Sequence, residues 1–157
     1  MTAKTKQILI WALVVWIAFV LIQSLFFKFQ GHEETRIIFS TIADWMTETG
    51  FLAWAADSFA STGGYAVGSV ELVAAVLLLI PGTRTYGAII TLVVISAAIF
   101  FHLFTPLGID RVIDNQGNTD GGTLFYMACS VWLSGAAIIA LEYMNSLKTA
   151  DQNLAKG

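Results

Sequence analysis

The 157-residue chain is 57% hydrophobic and only 12% charged, with a formal net charge of −3 and a single cysteine, Cys129. A soluble domain carries about 25% charged residues, so this composition excludes a water-soluble globule. The acidic balance and the lack of any Lys/Arg run exclude a nucleic-acid partner, and a lone cysteine excludes an internal disulfide or a Cys-x-x-Cys redox pair.

A helix needs about 20 largely apolar residues to cross the hydrocarbon. The first apolar run spans about 8–27, with Gln23 and Ser24 near its end. Lys4 and Lys6 precede it, as in a signal peptide, but the run is longer than a signal h-region and lacks a small-residue cleavage site, so it reads as a retained helix. The segment at about 33–60 is amphipathic. Ile38, Ile42, Trp45 and Met46 recur at helical spacing, Gly50 is a natural stop, and Phe51, Leu52, Trp54, Ala55 and Phe59 follow. Such a segment either lies in the membrane interface or packs on the bundle as an extramembrane helix.

The second run, at about 65–80, contains one charge, Glu71, and is stopped by Pro81-Gly82. The third, at about 86–104, carries His102 near its end and is closed by Thr105-Pro106-Leu107-Gly108. Asp120-Gly121-Gly122 precedes the fourth run, at about 123–143, with Asp120 placed to cap it. The expected fold is therefore all-α: a single membrane domain built as a four-helix transmembrane bundle, with an interfacial amphipathic segment between helices one and two.

Four crossings put Lys4, Lys6, Arg84, Lys148 and Lys156 on one side and Lys28, Arg36 and Arg111 on the other. The positive-inside rule then places both termini in the cytoplasm, in what is expected to be a bacterial cytoplasmic membrane.

The polar residues at membrane depth carry the functional information. A carboxylate near the bilayer centre costs roughly 2.5–3.5 kcal/mol, so Glu71 must be paired, neutral or turned to the bundle interior. Gly64, Gly68, Glu71 and Ala75 share one helical face, and the small-xxx-small pair Gly64/Gly68 brings a neighbouring helix close. His102 continues a stripe through Ala98, Ile95 and Thr91, and Ser130 lies on a stripe with Thr123, Met127 and Ser134. Topology thus predicts one polar layer in the outer half, made of Lys28, Glu71, His102 and Asp120, with Gln23, Ser24, Arg36 and Ser130 as second-tier candidates. Glu71 is expected to contact Lys28 or His102, and the cytoplasmic halves of the helices are expected to be uniformly apolar.

Three roles fit such a layer: an ion-pair network that fixes helix register, a pocket for the headgroup of a quinone or lipid, and a relay for protons or a small solute. No metal is expected, because His32 is the only other histidine and no ligand spacing appears. The run from Asp114 to Asp120 misplaces the glycine and the bidentate glutamate of a calcium loop. Nucleophile-elbow, Walker and dinucleotide motifs are missing, so no independent catalysis and no motif-bound cofactor are expected. Cys129 reads as a small core residue.

Leu25-Phe26-Phe27-Lys28-Phe29-Gln30-Gly31, followed by Ile38-Phe39-Ser40, resembles the first-helix exit of DoxX-type membrane proteins. The run from Glu71 to Pro81 resembles that family's second helix, and His102-Leu103 and Asp120-Gly121-Gly122 resemble its third-helix end and fourth-helix start. The resemblance implies a four-helix membrane fold and an accessory or structural subunit linked to quinone or redox chemistry, partnered by other membrane subunits or by further copies of itself. A small transporter and a purely structural subunit are the alternatives. The chain lacks the cysteine pair of the thiol-redox relatives, so a partner or a bound quinone would have to carry electrons.

Overall fold

The computed structural model describes residues 2–154, with residue 3 and residues 148–154 as backbone only. Of the cations in the orientation argument, Lys156 and the side chain of Lys148 lie outside the described residues. The elements are α1 (Ala3–Phe29), α2 (Glu33–Thr49), a short 3-10 turn (Ala53–Ala55), α3 (Ala56–Leu79), α4 (Arg84–Phe104) and α5 (Thr123–Leu154). Among the described residues there is no strand, only one isolated bridge between Val112 and Thr119.

Four helical stretches are long and apolar enough to cross a membrane: Lys4–Phe29, Ala53–Leu79, Arg84–Phe104 and Thr123–Leu147. Val15, Phe19, Val93 and Leu133 are each more than half exposed on their outer faces, an arrangement that hydrocarbon tolerates and water does not. The chain is an integral membrane protein.

The four long helices form a closed ring in which α1 touches α3 and α5, and α4 touches the same two. Ile10, Val14 and Ile17 of α1 meet Ala74, Ala75 and Leu78 of α3, Ala88 and Ile95 of α4, and Val131 and Ile138 of α5 in one apolar core. Gly87 sets the α3–α4 spacing, because a Cβ there would lie 2.6 Å from the Leu78 amide nitrogen and 2.9 Å from the Ala74 carbonyl oxygen. The Pro81-Gly82 turn is held by the Thr83 hydroxyl, which donates to the Leu77 carbonyl at 3.0 Å.

Helix α3 begins nine residues before the expected start at 65. The segment 56–62 is polar, but its hydroxyls donate back to the helix: Ser61 to the Asp57 carbonyl at 2.9 Å and Thr62 to the Ser58 carbonyl at 2.7 Å. Polar groups satisfied in this way do not end a helix. The amphipathic segment expected over 33–60 is therefore shorter. It ends with α2 at Gly50, whose φ of 74° gives the left-handed stop, and its second half is divided between the 3-10 turn Ala53–Ala55 and the first turn of α3.

Helix α2 buries Thr35, Phe39, Ile42, Ala43 and Met46, a stripe at 3.6-residue spacing, and packs them chiefly on α3. Phe39 fits over Gly63 and stacks at a tilt against Phe59, with ring centroids 5.2 Å apart. Ile42, Ala43 and Met46 join Ala56 and Leu107 in a second apolar cluster at the outer end. Helix α2 thus roofs the bundle at the end where α1 stops.

Candidate functional site

Glu71 is buried on the α3 face that also carries Gly64, Gly68 and Ala75, and its carboxylate points to α1. Lys28 Nζ donates to Glu71 Oε2 at 2.5 Å and to the Ser24 hydroxyl at 3.0 Å. The Ser24 hydroxyl is also 2.9 Å from Glu71 Oε2. Gly68 allows this approach, because a Cβ there would lie 3.2 Å from the Phe29 ring. Lys28 and Glu71 retain only 16% and 6% of their side-chain exposure, so the pair is largely withdrawn from the surroundings.

His102 does not join it, and the reason is helix rise. Glu71 is eight residues from the end of α3, about 12 Å of rise, while His102 is 18 residues from the start of α4, about 27 Å. The two helices are joined by a tight turn, so His102 sits about 15 Å farther out. Because α3 starts at Ala56, Glu71 lies in the inner half of its helix, not the outer half expected from a start at 65. His102 is buried and its Nδ1 donates to the Gly108 carbonyl at 2.6 Å. A carbonyl only accepts, so this bond fixes the proton on Nδ1. Its ring meets Phe125 edge-on, with centroids 5.7 Å apart.

Asp120 belongs to a third group, around a residue that sequence reasoning used only as a counted charge. Arg111 is 2% exposed, with Nε 3.2 Å from Asp120 Oδ2 and Nη2 bonded to Glu34 of α2. Its Nη1 is buried without a hydrogen-bond partner. Asp120 also accepts from the Leu124 amide at 3.1 Å, capping the first turn of α5. The hairpin between them turns at Asp114, whose carboxylate accepts from the Gln116 and Asn118 amides at 2.9 and 3.0 Å. The Asn118 side chain, first among these donors in effect, holds the Asp114 carboxyl below its ordinary value.

The single polar layer is thus three separate groups: Glu71–Lys28–Ser24 at mid-depth, His102–Gly108 at the end of α4, and Arg111–Asp120–Glu34 under α2. The opposite halves of the helices, expected to be uniformly apolar, are not. Arg84 is 2% exposed, lies 4.5 Å over the Trp11 ring, donates from Nε to the Leu78 carbonyl at 3.2 Å and is 3.4 Å from Glu142. It ties all four long helices together at the inner end.

Of the second-tier residues, Ser24 is in the mid-depth group. Ser130 accepts from Trp16 Nε1 at 3.2 Å and bridges α5 to α1. Gln23 and Arg36 are exposed, Gln23 at the rim of a cavity beside α5 and Arg36 beside another near Tyr65.

A cavity of about 330 Å³ connects the first two of these groups. Its walls are Leu21 of α1, Phe39 and Ile42 of α2, Val67 of α3, Ile95, Ala98 and Phe101 of α4, and Met127 of α5. Ser24, Lys28, Thr35, Glu71 and His102 are its polar points. A second cavity of about 220 Å³ adjoins it and shares Val20, Ser24, Lys28, Ile38, Leu124 and Met127. No group of three or more His, Cys, Asp or Glu able to hold a metal occurs among the described residues.

No curated protein and no solved structure matches the chain. Residues 6–111 match the family described as methylamine utilisation protein MauE. This corrects the DoxX resemblance: DoxX is a different membrane family, and short motifs set in apolar sequence are shared too easily between four-helix membrane proteins to separate the two. With about two thirds of its length matched, the chain belongs to the MauE family of membrane proteins.

Proposed function

We propose that this protein is an accessory subunit of a membrane assembly and that its cavity holds a lipophilic small molecule with a polar head, of the quinone class. The observation that carries this reading is the Lys28–Glu71–Ser24 group on the wall of an otherwise apolar cavity of about 330 Å³. Ligand sites are typically apolar clefts of about 300–1,000 Å³ with a few convergent polar groups, and this cavity fits that description. An ammonium has three N–H donors. Lys28 uses one on Glu71 and one on Ser24, which leaves one for a ligand carbonyl oxygen.

The family's printed name supports a place beside other proteins of methylamine utilisation. In this reading both termini are cytoplasmic, and the cavity lies towards the outer side of a bacterial cytoplasmic membrane. The sequence's five cations on the side of the termini (Lys4, Lys6, Arg84, Lys148 and Lys156), against Lys28, Arg36 and Arg111 on the other, support that orientation. A transporter would need a path past Glu71 to the inner face, and the packed side chains of Val14, Ile17, Ala75, Leu78 and Ala88 oppose one.

The test is purification in mild detergent followed by organic extraction and mass spectrometry, with titration of a tailless benzoquinone followed by tryptophan fluorescence. Copurified quinone and saturable quenching are expected, and Glu71→Gln should weaken binding about tenfold by disturbing the Lys28 donor. An extract without quinone, together with no saturable binding, overturns the reading.

A further inference from the structure

The second cavity gives the proposed ligand a route. It lies in the outer part of the seam between α1 and α5, lined by Gln23 and Phe27 on one side and by Thr123, Leu124 and Met127 on the other. Gln23, Phe27 and Thr123 are exposed, so this cavity reaches the outside of the bundle. Gln23 and Phe27 fall in the last two turns of a helix that ends at Phe29, within a stretch apolar enough to cross the membrane, so the opening faces the outer leaflet laterally. Inward, the Trp16–Ser130 hydrogen bond of 3.2 Å closes the same seam. Its upper wall is Arg111, which joins Glu34 of α2 to Asp120 at the start of α5 and closes the top.

The two cavities meet at Ser24 and Lys28, which line both. The inner one, at about 330 Å³, is at the small end for ligand sites, with room for a ring-sized head but not for a long hydrocarbon tail. We propose that the α1–α5 seam is a lateral portal: the ligand enters from the outer leaflet, its head settles against Lys28, and its tail stays in the seam between Gln23 and Thr123 and continues into lipid. This rests on the quinone-class reading above and adds a route and a tailed, membrane-dissolved ligand.

The test compares one head with two tails. A tailless benzoquinone and the same ring with a decyl tail are titrated into wild type and Gln23→Trp in nanodiscs. Gln23 is an exposed rim residue, so the indole fills the seam without disturbing the core. Gln23→Trp should weaken the tailed probe by about tenfold or more, the effect of expelling a few methylene groups, and leave the tailless probe within about twofold. Phe27→Ala, which widens the rim, should instead speed association of the tailed probe. Equal effects of Gln23→Trp on both probes, or none on either, overturn the portal and leave the quinone-class reading standing. A wild type that binds neither probe overturns both.

Discussion

Lys28 and Glu71 are joined by a 2.5 Å contact between α1 and α3, with Ser24 one turn below Lys28 bonded to both. Each partner is the other's main compensation for leaving water, so the pair should behave as a unit. Lys28→Met alone strands the carboxylate and should destabilise by about 3 kcal/mol, whereas Lys28→Met with Glu71→Leu should come within about 1 kcal/mol of wild type. Unfolding in mixed micelles, followed by far-ultraviolet circular dichroism, measures the cycle. Additive single effects would mean that the two groups are not coupled.

This pair was legible in the sequence because it needs only topology: a cation at the end of one helix and an acid on a small-residue face of the next. His102 was grouped with Glu71 because a helix starting at 65 puts Glu71 in its outer half; α3 starts at Ala56, and back-bonded Ser61 and Thr62 hide that boundary. Arg111 was missed because its burial comes from α2 folding over the bundle, a tertiary event with no local periodicity. Arg84, by contrast, could have been found. Trp11, Arg84 and Glu142 all fall at the inner ends of their helices, and the counting that grouped the outer residues would have grouped these three.

Gly87 makes a sharp packing prediction. A methyl group there meets α3 backbone at 2.6–3.0 Å, and backbone cannot rotate away as a side chain can. Gly87→Ala should therefore separate α3 from α4 and cost about 3 kcal/mol, at the upper end for overpacking. Gly82→Ala, with nothing within 4 Å of its Cβ, is the control and should stay within about 0.5 kcal/mol. Equal stabilities for the two variants in the same micelle assay would contradict the close approach.

Asp114 gives the outer hairpin a pH dependence. Its carboxyl is held below its ordinary value first by the Asn118 side chain and then by the Asn118, Gln116 and Gly117 amides. A depressed carboxylate favours the folded turn above its unfolded value, and that contribution is lost as pH falls through the lower folded value. The hairpin around Gly117 should therefore stay closed at neutral pH and loosen only in acid. Nuclear magnetic resonance titration of the Asp114 carboxyl carbon should give a midpoint below 3.8, rising towards it in Asn118→Ala. A midpoint unchanged by Asn118→Ala would remove the side chain as the cause.

One-sided access separates a binding chamber from a transport path. In a Cys129→Ala background, single cysteines can be probed with a membrane-impermeant maleimide. Gln116→Cys lies on the exposed hairpin and Arg36→Cys on the exposed side of α2, so both should react when reagent is added outside intact cells. Thr91→Cys sits just inward of Val93–Ile95 on the cavity wall, at a position 1% exposed, and conserves volume. It should resist reagent from either face, because Leu78, Ala88 and Ile138 close the bundle below it. Lys6→Cys should react only after permeabilisation if the termini are cytoplasmic. Labelling of Thr91→Cys from the inner face would reveal a continuous aqueous path, and the protein would then be a transporter with Glu71 on its route. Labelling of Lys6→Cys in intact cells would reverse the orientation while leaving the one-sided chamber intact.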